Sequence, residues 1–255
     1  MKNVSVLAMP LLFLALVGCK RASEVAPQAS TPQAKTASQP SVENATDIFI
    51  EWKSGMPMPI YITPYYNSSG PQVNVGSFSK RLAEAKVDTI KDVASDMKKQ
   101  WDSLPIEAMY VAAIRHYDLG QKDEAAYWFY SAQFRARLFV AVLSDQNGKS
   151  IGGSAFEATA AYTAFQQLVG EYINGYIGGN IDQWIVTLET VRTEAEKTIP
   201  RLAAIYPKVS FIPENSWPEK NKEIAAGISR LKDQIVKSAD EIKATRKQNG
   251  IEGKY

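Results

Sequence analysis

Apolar residues recur at intervals of three and four along the chain from Ser79 onward. The first such stripe consists of Ala83, Val87, Ile90, Ala94, Met97, Trp101 and Leu104, with lysines and aspartates on the opposite side. This spacing is typical of an amphipathic helix, because residues three and four apart share one helix face. The pattern therefore predicts one continuous helix over 79–104.

Proline and glycine divide the rest of this pattern into further helices. Pro105 opens a helix that Gly120 ends, and Gly178 and Gly179 stop another. We predict these further helices over 105–119, 123–143, 155–176, from 181 to around 200, and from 216 through 242, with a short extended piece over 206–213. The fold class is therefore mainly α, either a bundle of about six helices or an array of helical hairpins.

A small β-hairpin is predicted before these helices. The segment 47–52 has the β-branched and aromatic bias of a strand, with Ile48, Ile50 and Trp52 on one face. The segment 59–63 is a second short apolar run with β-branched residues. Gly55 and the prolines around it lie between the two, so we expect an irregular or edge pairing.

The first 19 residues form a separate signal. Val4 to Val17 is an almost unbroken apolar run after Lys2, too short to span a bilayer comfortably as a helix. It ends in Leu16-Val17-Gly18-Cys19, which resembles the lipobox of bacterial lipoproteins. That resemblance implies cleavage before Cys19, lipidation of Cys19 with acyl chains such as palmitate, and a membrane anchor. By analogy with lipoprotein sorting, Lys20 in place of an aspartate favours the outer membrane.

The anchor precedes a spacer and one domain. Residues 20–45 are rich in Ala, Ser, Thr, Pro and Gln and hold no aromatic residue, so they cannot bury enough surface to offset their ordering entropy. We therefore predict a signal peptide over 1–18, Cys19 with a flexible linker over 19–45, a single mostly helical periplasmic domain over 46–248, and a tail over 249–255.

Charge and ligand chemistry narrow the function only slightly. The formal net charge of +2 argues against a nucleic-acid partner, which usually requires a concentrated basic face. The lone Cys19 allows no intramolecular disulfide. His116 is the one histidine, and without a second His or an available Cys we predict no metal site and no cofactor. We expect His116 at a helix surface or beside Tyr117.

The stretch 109–132 carries small residues at positions where two helices would meet. Ala113, Gly120, Ala125 and Ala132, together with Phe129, resemble the helical hairpin of tetratricopeptide and Sel1-type repeats. The proline that usually closes such a repeat is absent, since Arg137 stands there, and no second copy is evident. Any tight helical hairpin selects small residues at these positions, which leaves an ordinary hairpin as the alternative.

The third predicted helix is dense in aromatic residues interleaved with arginine. Aromatic and arginine side chains dominate the energetics of protein interfaces, so we name Tyr127, Trp128, Arg135 and Arg137 as candidate partner-binding residues. The alternative is that this helix is central to the core, with arginine stems packed at its edge.

No catalytic residue is assigned. The chain lacks a G-x-S-x-G elbow, an H-E-x-x-H motif, a phosphate loop and a dinucleotide fingerprint. We therefore expect a non-enzymatic envelope lipoprotein whose helical domain binds an unidentified envelope protein. Two alternatives stay open. The first is an immunity lipoprotein that neutralises a periplasmic toxin of a secretion system, because some such proteins are similar in having a lipid anchor and helical repeat-like domains. The second is an envelope hydrolase that uses carboxylates brought together by the fold.

Overall fold

The computed structural model describes residues 58–59, 72–73, 75–144 and 153–255. The predicted signal peptide, Cys19, the linker and the 47–52 strand lie outside the described residues. Met58–Pro59 (β1) pairs antiparallel with Gln72–Val73 (β2). Everything else of regular structure in the described ranges is helical apart from one isolated bridge, so the predicted mainly α class is confirmed.

Nine α-helices occur within the described residues. They are α1 (Ser79–Glu84), α2 (Ile90–Lys99), α3 (Ile106–Asp118), α4 (Lys122–Ala141), α5 (Ser154–Ile177), α6 (Ile181–Lys197), α7 (Leu202–Ile205), α8 (Trp217–Lys237) and α9 (Ala239–Gln248). Single 3-10 turns precede α1, α3 and α8. The number exceeds the predicted six mainly because two of the predicted helices are each divided by a short break.

The predicted continuous helix over 79–104 is wrong at 85–89. Ala85 has an extended backbone, and the chain restarts where the Thr89 side chain accepts a hydrogen bond from the Lys86 backbone N–H at 2.9 Å. This local bond offers the backbone an alternative to the helix ladder. Val87, placed in the apolar stripe by the sequence pattern, is 60% exposed, and Leu82 is buried in its stead. The predicted last helix is likewise divided, at Ser238, into α8 and α9.

Helices α3 and α4 form a tight antiparallel hairpin, as the sequence predicted. Gly120 ends α3 with a φ of +77°, a left-handed conformation that glycine adopts without steric cost. The Gln121 N–H donates to the His116 carbonyl at 2.8 Å, and the Gly120 N–H to the Tyr117 carbonyl at 3.0 Å. These two bonds are the Schellman pattern that satisfies the last carbonyls of a helix. The small residues Ala113, Ala125 and Ala132 are buried in the hairpin.

Helix α4 is the centre of the domain. It packs against α3, α5, α6 and α8, and 14 of its 20 residues are buried. Phe129 and Phe139 lie wholly inside the single hydrophobic core. The end of α4 is fixed by an isolated antiparallel bridge between Leu143 and Phe211, which confirms part of the predicted extended piece over 206–213. This arrangement places the aromatic side chains of α4 in the interior.

Candidate functional site

Three of the four predicted partner-binding residues lie in the interior. Tyr127, Trp128 and Arg135 are all buried, whereas Arg137 is half-buried. This burial agrees with the alternative that α4 is central to the core, and partner binding by the four residues stays a prediction. The three buried residues lie close to a concave site that combines charge with aromatic rings. Cys19, the predicted lipidation site, lies outside the described residues.

The concave site lies between α4, α6 and the 3-10 turn Trp101–Ser103. Tyr127, Ser131 and Arg135 are spaced by four, so they share one face of α4, which is directed at α6. We name the space there the Trp101–Arg135 cleft. It has a volume of about 10 Å³, and it is lined by Trp101, Ser131, Phe134, Arg135, Leu138, Val191, Ala195, Thr198 and Pro200.

Arg135 supplies the charge of the cleft. Its Nη1 donates to the Leu104 carbonyl at 2.5 Å and its Nη2 to the Trp101 carbonyl at 2.6 Å. The guanidinium also lies 4.9 Å from the centre of the Trp101 ring, within range of a cation–π contact. Among the described residues no carboxylate lies within 4.0 Å of it, and burial lowers the pKa of Arg135 to about 10. The side chain therefore stays charged at neutral pH.

A second cation and two paired acids surround the cleft. The Lys98 ammonium lies 4.3 Å from the centre of the Tyr127 ring and 3.7 Å from the Glu124 carboxylate. The Tyr127 hydroxyl donates to Glu194, and burial together with that carboxylate raises the pKa of Tyr127. The cleft lining itself contains no acid and no histidine. Chemically, it offers hydrogen-bond donors and positive charge, which suits binding rather than proton transfer.

Ser131 has an unusual position in this cleft. Its hydroxyl oxygen is fully buried, and the partner nearest to it is the Tyr127 side chain, to which it is hydrogen-bonded. Neither Ser131 nor Trp101 was predicted as a site residue from the sequence. The signal for Ser131 was available, because Tyr127, Ser131 and Arg135 recur every four residues within an otherwise apolar helix.

Glu107 is the one acid with a raised pKa in the described part of the chain. It accepts a hydrogen bond from the Tyr206 hydroxyl at 2.7 Å, and that hydroxyl accepts one from the Ile106 N–H at 2.9 Å. Burial disfavours the carboxylate and raises the pKa of Glu107 above its ordinary value. The pair joins the start of α3 to the residue that follows α7. It is not part of the Trp101–Arg135 cleft.

His116 is buried, with an exposed fraction of 1%, so the prediction of a helix-surface position is wrong. Its Nδ1 lies 3.1 Å from the Gln121 Oε1, while the Gln121 Nε2 donates to the Val87 carbonyl at 3.0 Å. Since the amide nitrogen of Gln121 faces a carbonyl, its oxygen faces His116, and Nδ1 carries the proton. Burial lowers the pKa of His116 and keeps the ring neutral. Gln121 thus joins His116 on α3 to the break at 85–89.

Within the described ranges, no group of three or more His, Cys, Asp or Glu side chains could hold a metal ion. In the same ranges, no helix combines the length and the apolar character that crossing a bilayer requires.

The outer face of α5 is the exposed apolar surface of most interest. Phe156 is 40% exposed, Leu168 is also exposed, and Ala160 and Ala164 continue the same face at intervals of four. Helix α5 contains no lysine or arginine, and its only charges are Glu157 and Glu171, one near each end. Within the described residues, the part of this face from Phe156 to Leu168 is exposed, whereas its C-terminal end is covered by the tail, where Lys254 pairs with Glu171 at 3.6 Å and Tyr255 lies on Gly175. The inner face packs on α3, α4 and α6.

Comparison with known proteins gives one match. A protein of Haemophilus influenzae, described as an uncharacterized protein, is 30% identical over 136 residues, which are 51% of this chain and 49% of that protein. The chain therefore spans about half the length of the curated relative that it matches. No protein family matches the chain, and no solved structure matches it. Function has to be inferred from the residues themselves.

Proposed function

We propose that this chain is an outer-membrane lipoprotein, anchored through lipid on Cys19, whose periplasmic helical domain binds another protein through the outer face of α5. The single observation that carries the binding proposal is that face, where Phe156, Ala160, Ala164 and Leu168 stay exposed on one side of a long helix. An uncovered apolar helix face is typical of a site where a second helix docks.

The charges of α5 define the chemistry of the partner. Glu157 lies near the start of the apolar face, and the helix offers no positive charge. Glu171, near the other end, is already paired with Lys254 at 3.6 Å and accepts from the Tyr255 hydroxyl. A partner helix with apolar residues at its centre and a lysine or arginine beside Glu157 is complementary to this surface. A second copy of α5 is not, because it has no lysine or arginine to place there. Electrostatic complementarity of this kind sets orientation and suppresses wrong partners.

The anchor part of the proposal depends on the N-terminal sequence. Cys19 follows a short apolar run and precedes a polar spacer, and several acyl chains on one residue give stable attachment. The proposal retains the β-hairpin over 47–63 and the resemblance of the α3–α4 hairpin to tetratricopeptide-type repeats. Both are features of the domain that the spacer would hold clear of the lipid.

The anchor is tested by labelling growing cells with palmitate. We expect label in the wild-type chain and none in Cys19→Ala, and we expect Cys19→Ala to leave the membrane fraction. Ser23→Ala, in the same spacer, is the matched control and should be labelled normally. An unlabelled wild-type chain, or a Cys19→Ala chain that stays bound to the membrane, would contradict lipid anchoring.

The partner surface is tested by site-specific photocrosslinking in intact cells. A photoreactive amino acid at Phe156 or Leu168 should give a discrete crosslinked band, and the same amino acid at Val236 should not. Val236, on α8, is a matched control because it is 55% exposed. The band should disappear when Ala164→Arg is added, and peptide sequencing of the crosslinked partner should identify an apolar helix with a basic residue at one end. Equal bands from all three positions would refute the assigned surface.

One observation favours a second candidate, the envelope hydrolase. A carboxyl with a raised pKa is the kind of group that acts as a general acid, and Glu107 has that property. Its oxygens are hydrogen-bonded to Tyr206 beside the helix start rather than to a cavity-lining group. Loss of peptidoglycan hydrolysis in Glu107→Gln, with wild-type crosslinking at Phe156, would favour the hydrolase over the binding protein.

A further inference from the structure

The C-terminal tail, residues 249–255, folds back onto the helix that carries the proposed partner surface. Gly250, just after α9, has a φ of +62°, and Gly253 has a φ of +71°. Glycine adopts such left-handed conformations without steric cost, so each position is suited to a sharp turn. The two turns return the chain to α5, where the Tyr255 ring lies against the helix backbone.

Tyr255 occupies a notch that a glycine leaves open. A Cβ at Gly175 would lie 2.6 Å from two atoms of the Tyr255 ring, which is closer than real Cβ contacts. The ring also meets Tyr172 edge to face, with 6.3 Å between the ring centres. Glycine is among the least favourable residues inside a helix, so the notch lowers the stability of α5 taken alone. The glycine is therefore explained by the ring that it admits.

The notch belongs to the outer face of α5. Leu168, Glu171 and Gly175 follow one another at intervals of three and four, so they share one side of the helix with Phe156. The tail thus covers one end of a surface that is exposed from Phe156 to Leu168. A partner helix that runs along the whole of α5 would meet the tail about one turn after Leu168.

The tail is held on α5 by few contacts. The Tyr255 hydroxyl donates to Glu171 at 3.0 Å, and the Lys254 ammonium lies 3.6 Å from the same carboxylate. The Lys254 and Glu171 side chains are 54% and 56% exposed, and exposed ion pairs contribute little to stability. Helix α9, in contrast, is fixed by the buried Arg246, which donates to the Gly175 carbonyl at 2.7 Å. Opening the tail therefore breaks fewer contacts than opening α9.

We propose that the tail is an intramolecular competitor of the partner: with Tyr255 in the Gly175 notch it blocks one end of the α5 face, and the partner displaces it on binding. This inference rests on the proposed partner-binding role of α5 and extends it to regulation. The docked tail lowers the apparent affinity for the partner, because only chains with an open tail present the whole face. Displacement also releases Glu171 from Lys254.

A disulfide tests whether the tail lies on Gly175. A Cβ at Gly175 would lie 2.8 Å from the Tyr255 Cγ, so cysteines at these two positions bring their Cβ atoms within the range of a disulfide. In a Cys19→Ala background, which leaves no other thiol, Gly175→Cys/Tyr255→Cys should oxidise readily and migrate differently on a non-reducing gel. Gly175→Cys/Glu252→Cys is the matched control and should oxidise far less, because Glu252 is exposed. Equal oxidation of the two chains would overturn the docked position of the tail.

Competition is tested with the lipidated chain and the photoreactive amino acid at Phe156. Phe156 lies about 28 Å along the helix from Gly175, so changes in the tail leave the surroundings of the probe intact. Deletion of 249–255 should raise the crosslinked fraction about threefold, and the oxidised Gly175→Cys/Tyr255→Cys chain should lower it by about the same factor. Glu252→Ala, an exposed change in the same tail, should leave the band unchanged.

Reduction of the disulfide in isolated membranes before irradiation should restore the band at least to the wild-type level. Tyr255→Cys alone, treated with the same reductant, controls for effects of the reductant on the partner. Equal bands from the wild-type, truncated and disulfide-closed chains would overturn the role of the tail and leave the α5 surface in place. No band from Phe156 in any chain would instead refute the α5 surface, and this inference with it.

Discussion

Helices α4 and α5 are neighbours of similar apolar character, yet the domain uses them in opposite ways. Helix α4 buries 14 of its 20 residues, including the charged Arg135, whereas α5 buries 9 of its 24 and leaves Phe156 and Leu168 exposed. The cause is position, since α4 is contacted by four helices and α5 by three on its inner side. The helix that combines aromatic residues with arginine, α4, thus lies in the interior, whereas α5, which has no arginine, offers the exposed surface.

This difference in burial determines which kind of ligand each helix can bind. On α4, the polar residues Tyr127, Ser131 and Arg135 are enclosed, so they can serve only a small ligand or the fold itself. On α5, the exposed residues Phe156 and Leu168 are apolar, and Glu157 lies beside them near the helix start, which suits a protein partner. The largest expected effects on stability therefore belong to α4 and the smallest to the outer face of α5.

The largest effect is expected for Trp128→Ala. The Trp128 ring is completely buried and is tilted by 43° against the Trp101 ring, with 5.9 Å between the ring centres. Truncating a buried tryptophan should lower the free energy of unfolding by about 3–5 kcal/mol, measured by urea denaturation. Phe156→Ala on α5 is the control and should change it by no more than about 0.5 kcal/mol. Equal losses for the two variants would remove the distinction between the helices.

Gly175→Ala tests the end of α5 that the C-terminal tail covers. A Cβ at Gly175 would lie 2.6 Å from ring atoms of Tyr255, whose hydroxyl donates to Glu171 at 3.0 Å. Alanine would expel this ring, so we expect a loss of about 1 kcal/mol in spite of its better helix propensity. In a Tyr255→Ala background the same change should instead stabilise by about 1 kcal/mol, since only the propensity remains.

Denaturation of all four chains of this double-mutant cycle measures the coupling between the tail and α5. A Gly175→Ala effect that keeps its sign in both backgrounds would show that Tyr255 does not pack on this glycine.

Glu107→Gln should change how stability depends on pH. Burial raises the folded-state pKa of Glu107 above 4.5, so the folded protein holds this proton more tightly than the unfolded chain. Its stabilising contribution is fully present below pH 4.5 and is lost as pH rises through the higher folded-state value. Glutamine cannot ionise but still accepts from Tyr206, so the variant should lose less stability as the pH is raised. Parallel stability profiles for wild type and Glu107→Gln would contradict this.

Leu168→Lys should have the smallest effect on folding. An exposed leucine on a surface helix contributes little, so the free energy of unfolding should change by no more than about 0.5 kcal/mol. Crosslinking from Phe156 to the partner should nevertheless fall strongly, because the lysine interrupts the apolar face. Val236→Lys, on α8, should leave both quantities unchanged. An unaltered crosslink in Leu168→Lys would place the partner elsewhere.

Most of the helices could be predicted from the sequence, because the three-and-four spacing reports which face of a helix is apolar. The hairpin of α3 and α4 was also predictable, since Gly120 and the small residues around it restrict the local geometry. The break at 85–89 was not, because Lys86 and Thr89 form a single side-chain bond that apolar spacing does not register. Val87 follows the three-and-four spacing of apolar residues, yet its side chain is exposed to solvent.

For the two candidate sites as well, the sequence indicated the residue pattern but not the burial or the neighbours of those residues. Apolar and small residues repeated along α5 were visible in the sequence, but their exposure was not, because an apolar face looks the same whether or not another helix covers it. The proximity of Arg135, Ser131 and Trp101 was likewise hidden, as residues thirty positions apart meet only after α4 has packed on the turn before α3.

By itself, the amino-acid sequence determined a mainly helical domain with helices near these positions and a tight turn at Gly120. Those properties follow from interactions between residues a few positions apart. The tertiary structure alone decided that α4 is enclosed and α5 is open, that His116 is buried, and that the Arg135 guanidinium lies beside Trp101. These depend on which helices become neighbours, and burial is a property of the whole packed chain rather than of any local segment.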